Sequence, residues 1–299
     1  MNPLSDFVLI EKINQCLKLA SLQSINSTLR NLLESEDSFV SQIAEVIKLD
    51  PSLTTRVLDL VNSIFFGSSE ENRINGIEEA SIFLGLNRIR ELLSATPIIE
   101  EITALDKNAS SKFPWEDFWR HSIGCAILTR ELLSIAEHKV DLEADYVAGL
   151  LHNLGVLILA ITFPDEFSKV FEADYSDIDD LIKKEDEIIG WNHSKIGAYY
   201  LWNHHISDEG VEAVNFHNHP KPATINPKLT AAVHIANNLV RHLGVGGLEK
   251  VSIKKIDDFS SIECWDVIFP YENQEKSQAV MDRLNISLDR LAEILKHIL

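Results

Sequence analysis

With 299 residues, 45% of them hydrophobic and 24% charged, the chain can bury a sizeable core and is too apolar for a disordered tail. Its formal net charge of −19 repels phosphate backbones, and no Lys/Arg cluster offsets it, so non-specific nucleic-acid binding is excluded over most of the surface. Three widely spaced cysteines, Cys16, Cys125 and Cys264, provide neither a disulfide framework nor a thiolate metal cluster and suit a reducing compartment. The first residues lack the basic and apolar regions of a signal peptide. The apolar run from Val147 to Phe163 is short for a membrane span and holds His152 and Asn153 near its middle. A cytoplasmic protein without a membrane segment is expected.

Helical spacing of apolar residues dominates, and no sustained alternation competes with it, which predicts an all-α fold. Asp50-Pro51 marks a helix start, with Leu53, Val57, Leu60, Val61 and Ile64 on one stripe and a close near Asn62, Ser63 and Gly67. Asn75-Gly76 precedes a second piece (Ile77, Ala80, Phe83, Leu84) that stops at Gly85. Asn87 caps a third with Ile89, Leu92 and Leu93, ended by Pro97. Lys107 to Lys112 is a polar link, and Pro114 opens a helix bearing Phe118, His121, Cys125 and Leu128. The next helix is expected to run from about Glu143 through His152 toward Ile161, and the acid-rich stretch Asp174 to Glu187 to be a solvated connector and helix face. Helices over His193–His204, Ser207–His217 and Lys228–His242 follow, then a turn at Gly244 to Gly247. Val251 to Ile268 is ambiguous, and Ser287 caps a closing helix with Leu288, Leu291, Leu295 and Ile298 inward. The expected domains are an N-terminal helical subdomain (1–108), a helical bundle (109–243) and a C-terminal extension (244–299).

Several polar residues sit where apolar ones are the rule. His121 lies in a buried-looking helix, where a histidine usually serves as a hydrogen-bonded core residue. His152-Asn153 interrupts the apolar segment from Gly149 to Gly155, and two adjacent polar side chains there need partners, because an unsatisfied buried group costs roughly 1–3 kcal/mol. The flanking glycines allow neighbouring backbones to approach closely. His121 and His152 are expected to converge on one polar pocket. His193 shares a face with Tyr200 and His204, either as an exposed polar stripe or as part of a site. His217-Asn218-His219-Pro220 ends a helix, where histidines also gain from the macrodipole. Of Asn237 and Asn238, one is expected to face the pocket and the other outward.

The order of these features resembles the HD superfamily, and more closely its HDOD branch, the HD-related output domain of bacterial signalling proteins. The run Ile47 to Gly67, with Asp50-Pro51, Arg56 and Asn62, and the run Ile77 to Ile89 carry the likeness in the N-terminal half. Phe118 to His121, Gly149 to Gly155, His193 to Gly197 with Trp202, and Val233 to Asn237 carry it in the rest, over roughly Ala20 to Leu243. The resemblance implies a multi-helical HD-like bundle. It matches His121 to the first superfamily histidine, His152 to the histidine of the His-Asp pair, and His193 and His217 to histidines of extended sites. Active members hold a metal with two histidines and two aspartates, and its water attacks phosphorus. Here Asn153 and Asn237 stand at the aspartate positions, and Asn218 where a second consecutive histidine is common. One lost carboxylate at about 4 Å and an effective dielectric near 20 removes roughly 4 kcal/mol of attraction for a unit charge, before desolvation. A non-catalytic signalling module that binds a protein partner or a small ligand is therefore expected, with no cofactor. The alternative is a phosphohydrolase of nucleotides or phosphoesters, with zinc, nickel, iron or manganese on His121, His152, His193 and His217.

Overall fold

Apolar side chains at helical spacing need partner surfaces, and helix against helix supplies them throughout the computed structural model. It describes residues 3–16, 19–35, 38–94, 96, 113–136, 142–246, 255–270 and 274–297 except 66–72. The described elements are α-helical, with one short 3-10 turn and no strand, and among them no single helix is long and apolar enough to cross a membrane. The chain divides into two compact units that interleave along the sequence: residues 1–115 with 153–207, and residues 116–152 with 208–299.

The first unit begins with α1 (Asp6–Gln15), α2 (Gln23–Glu34), α3 (Val40–Ile47), α4 (Pro51–Phe65) and α5 (Ile77–Ser94). Asp50 starts α4 as its sequence implies: Oδ1 accepts from the amides of Ser52 and Leu53 at 2.8 and 3.0 Å. Leu53, Val57 and Val61 are buried with Leu58, whereas Leu60 is half-buried and lines an open cleft. Helix α5 is broken at Gly85, whose φ of 69° lies in the region that favours glycine, so the expected stop is a kink between two helical pieces. Gly67, Pro97 and the link from Lys107 to Lys112 lie outside the described residues.

The later half of this unit adds four more helices, which follow α6 (Trp115–Ile135) and α7 (Leu142–Leu151) of the other unit in chain order: α8 (Leu154–Thr162), α9 (Pro164–Glu172), α10 (Ile178–Ile188) and α11 (His193–Asn203). Helices α8 and α11 form its most extensive contact, and α1 touches both. Asn62 of α4 donates to the carbonyls of Ile74 and His205, which ties the N-terminal helices to the end of α11.

The second unit contains α6 (Trp115–Ile135, from Glu116 onward), α7 (Leu142–Leu151), α12 (Asp208–Phe216), α13 (Pro227–His242), α14 (Trp265–Ile268) and α15 (Gln274–Leu295). Its core joins Cys125, Leu128 and Leu132 of α6 to Ala232, Ile235 and Leu239 of α13 and Leu284, Leu288 and Leu291 of α15. Two expectations are corrected. The helix expected to run through His152 ends at Leu151, and a new one starts at Leu154, with Asn153 at its N-cap position; the apolar spacing continues across the turn and hides it. The closing helix begins at Gln274 and not at Ser287, which sits inside it and donates to Glu131 at 2.9 Å. Leu288, Leu291 and Leu295 do face inward, and Ile298 is outside the described residues. The ambiguous stretch contributes the 3-10 turn Phe259–Ser261 and α14, whose Trp265 and Ile268 join the core.

Candidate functional site

Helix α6 places His121 and Cys125 one turn apart, and both are fully buried. The His121 Nδ1–H donates to the Val245 carbonyl at 2.8 Å, so Nε2 is the lone-pair nitrogen of the neutral ring. Nε2 lies 3.0 Å from Asn237 Oδ1 and 3.4 Å from the Cys125 sulfur. Two acceptors cannot share a contact without a proton, so an amide turned with its nitrogen toward the ring satisfies both groups. Burial, and then the nearby Arg241 charge, push the His121 pKa down to about 4, against smaller opposing effects of Val245 and Asn237.

The other histidines of this unit follow the same rule. At the end of α7 the His152 Nδ1–H donates to Gly149 O at 2.7 Å, and its ring lies 5.4 Å from His121 and 5.0 Å from His217 between centroids. His217, just past α12, donates from Nδ1 to Val214 O at 2.7 Å and accepts at Nε2 from the Asn218 amide at 2.9 Å. His234 on α13 donates from Nδ1 to His217 O at 2.7 Å, with the Asn238 amide nitrogen 3.3 Å from its Nε2. Four imidazoles are thus held by backbone carbonyls in one tautomer, and three of them meet a primary amide at Nε2. Close packing makes the cluster possible: a Cβ on Gly149 would lie 2.8 Å from the backbone of Ala126 and Cys125. Cys125 and Arg241 were not among the sequence candidates, and His234 entered only as part of the run from Val233 to Asn237. The i, i+4 spacing of His121 and Cys125 was a readable signal for the first.

The remaining candidates belong to the other unit. His193 opens α11 and is buried, not part of an exposed stripe; its Nδ1 lies 2.7 Å from Glu185 Oε2, which also accepts the His193 amide at 3.0 Å. Glu185 is itself buried, a departure from the solvated face expected of its acidic run. Asn153 is buried, and neither side-chain atom makes a hydrogen bond among the described residues. An isosteric Asn153→Leu exchange is expected to raise the unfolding free energy by about 1–2 kcal/mol in urea titrations. Unchanged or lower stability would show that the amide is bonded in solution.

The fit of this chain to a divalent metal follows from its donors. His121, Cys125 and His152 place one ligand atom each within 4.8 Å of one another, and no carboxylate belongs to this group. Three neutral donors with a guanidinium nearby do not fit the hard ion of a two-histidine, two-aspartate centre. A nitrogen and sulfur set of this kind suits only a borderline or soft ion.

The depressed pKa of His121 has a measurable consequence. The unfolded chain binds the proton near pH 6.5 and the folded one near 4, so stability is lost as pH falls through that window, in total by about 3 kcal/mol. Nuclear magnetic resonance titration should show His121 uncharged at pH 5.5, and His121→Gln should flatten the pH dependence of unfolding between these values. A His121 that titrates near 6.5 would contradict the burial argument.

Fold and site together define an all-helical protein with a buried, amide-rich histidine cluster. The chain belongs to the HDOD family: the HDOD domain matches residues 19–220. A protein of Treponema pallidum (strain Nichols), itself called uncharacterized, is 27% identical over 224 residues, 72% of this chain and 40% of that one. The chain therefore spans about two fifths of the length of the curated relative it matches. Among solved structures, the MmoQ response regulator of Methylococcus capsulatus str. Bath superposes with a TM-score of 0.63 at 20% identity, covering 89% of this chain and 98% of that one. An HDOD domain protein of Geobacter sulfurreducens gives a TM-score of 0.56 at 19% identity over 99% of both chains. A virulence factor of Campylobacter jejuni gives 0.61 at 20% identity, over 80% of this chain and 84% of that one. At these identities the structures establish the fold.

Proposed function

We propose that the chain is a non-catalytic signal-transduction module that binds a protein partner or a small ligand at or around the histidine cluster of its second unit. The observation that carries this reading is Asn237 at His121 Nε2: an amide occupies the contact that a metal or a metal-binding carboxylate needs. The absence of any carboxylate from the His121, Cys125 and His152 group supports it, as does membership of the HDOD family. One structural relative is a response regulator, which is consistent with a signalling role.

The test is hydrolysis of nucleotides, cyclic dinucleotides and simple phosphoesters with magnesium, manganese, nickel or iron added. No turnover above a His152→Ala control is expected. Turnover that His152→Ala removes, in protein free of contaminating phosphatase, would overturn the reading. A second reading, a metal-dependent phosphohydrolase, draws on the 4.8 Å clustering of His121, Cys125 and His152. It requires stoichiometric metal in protein purified without chelator, lost in His152→Ala and Cys125→Ala; the leading reading expects less than stoichiometric metal.

A further inference from the structure

The first unit contains a cleft of about 330 Å³ between α4, the second half of α5 and the end of α11, at the small end of the range for ligand sites. Its polar groups are unequally committed. Glu91 pairs with Arg88 at 2.9 Å, and Asp59 Oδ1 is hydrogen-bonded to His205 Nδ1 at 3.1 Å. Arg56 makes no ion pair within 4.0 Å among the described residues, although the charges of Asp50 and Asp59 act on it; its only hydrogen bond there goes to the Thr96 hydroxyl, which leaves N–H donors of its planar fork free. Burial lowers its pKa, the mark of a partly desolvated charge that an anion would stabilise. Tyr200 is 2% exposed and lines the cleft, and its hydroxyl is not one of the buried polar atoms that lack a partner. It lies within electrostatic reach of Arg56 and Asp59, the charged groups of the α4 wall. A phenol hydroxyl and a guanidinium with N–H donors to spare, both lining one cleft, offer convergent donors to an anion. The remaining lining is apolar or aromatic: Leu60, Leu92 and the His204 ring, whose centroid is 3.9 Å from that of Tyr200.

We propose that this cleft binds a small organic oxyanion, a carboxylate or a phosphate monoester, with Arg56 and the Tyr200 hydroxyl on the charged end and an apolar body against Leu60, Leu92 and the Tyr200–His204 ring pair. A guanidinium holds either anion through two parallel N–H donors, and the phenol adds a third. A cation is disfavoured, because the Arg56 and Arg88 guanidinium groups line the same cleft. All of these residues belong to the first unit and none to the histidine cluster, so failure of either reading leaves the other standing.

The test titrates the full chain, by calorimetry, with phenyl phosphate, benzoate and inorganic phosphate. At least one of the two organic anions is expected to bind, and which of them does so distinguishes phosphate from carboxylate recognition. Inorganic phosphate, lacking the body, is expected to bind at least tenfold more weakly. Arg56→Gln and Tyr200→Phe should each weaken the organic anion tenfold or more, the usual scale of a lost charge-assisted hydrogen bond. Tyr200→Phe keeps the ring and the packing, so it decides the matter even if Arg56→Gln fails to fold. Absence of binding by both organic anions, equal binding of inorganic phosphate, or undiminished binding by Tyr200→Phe would each overturn the proposal.

Discussion

Gly155→Ala is expected to leave little cooperatively folded protein. A Cβ at Gly155 would lie 1.8 Å from the His193 carbonyl oxygen and 2.9 Å from the Gly197 amide nitrogen, both main-chain atoms of α11. No side chain can turn aside to make room, so α8 and α11 would have to separate along the largest contact of their unit. Overpacking against movable side chains costs about 1–3 kcal/mol, and a main-chain collision exceeds that, so a loss above about 4 kcal/mol is expected. Thermal melts followed by circular dichroism will show it. Gly149→Ala provides a graded comparison: its nearest contact is the Thr129 hydroxyl at 2.7 Å, which can rotate, with backbone next at 2.8 Å. It should destabilise less and widen the separation of α6 from α7. A Gly155→Ala protein that melted within a few degrees of the parent would refute the close approach.

The second large effect is expected at Glu212, a residue of α12 that is 6% exposed. Its carboxylate accepts the amides of Thr224, Ile225 and Asn226 at 2.6, 2.9 and 2.7 Å and so fixes the turn that enters α13. Asn226 then caps α13 through its side chain, and Pro227 supplies the first turn. Glu212→Ala strands three amides at once; with hydrogen bonds to charged groups worth about 1.5–3 kcal/mol each, a loss of about 4 kcal/mol is expected in urea unfolding. Because α13 carries His234 and Asn237, their hydrogen bonds to His217 O and His121 should loosen together. Burial acts to raise the Glu212 pKa, but the amides of Ile225, Thr224 and Asn226 outweigh it and hold it below the usual value. Its stabilisation is therefore full above the unfolded pKa of about 4.5 and is lost as pH falls through the folded value. Glu212→Gln should lack that acid-side dependence. A Glu212→Ala protein as stable as the parent would show the turn to be held by other means.

These two residues mark what the sequence discloses and what it conceals. Gly149 and Gly155 flank a polar pair inside an apolar segment, and that anomaly alone announces close backbone contact. The Asp50-Pro51 helix start is equally legible, since a cap and its proline are neighbours in the chain. Glu212 and Glu185 look like members of acidic surfaces; they are buried where amides of the following turns, 8 to 14 residues on, meet them, and helical spacing does not report that. The break after Leu151 is hidden for a different reason, because apolar residues occupy both sides of the turn. The start of α15 at Gln274 is masked by its polar outer face, although Val280 and Leu284 already carry the inward stripe. At the candidate site, the positions of His121, His152 and Asn237 followed from residue order, whereas the cover of amides over Nε2 required geometry.

The interleaving of the two units bears on how this fold can be taken apart. The chain passes from one unit to the other at 115–116, again at 152–153, and again at 207–208. Residues 116–152 thus form an excursion inside the sequence of the first unit, and neither unit is one uninterrupted stretch. No single cut frees either of them: removing residues 1–111 deprives α8 and α11 of α1, which packs on both. Genetic dissection by truncation will therefore yield fragments of a unit where it aims at whole ones, and a gene fusion cannot assemble this architecture end to end. The second crossing falls between His152 and Asn153, the polar pair that interrupts the apolar segment.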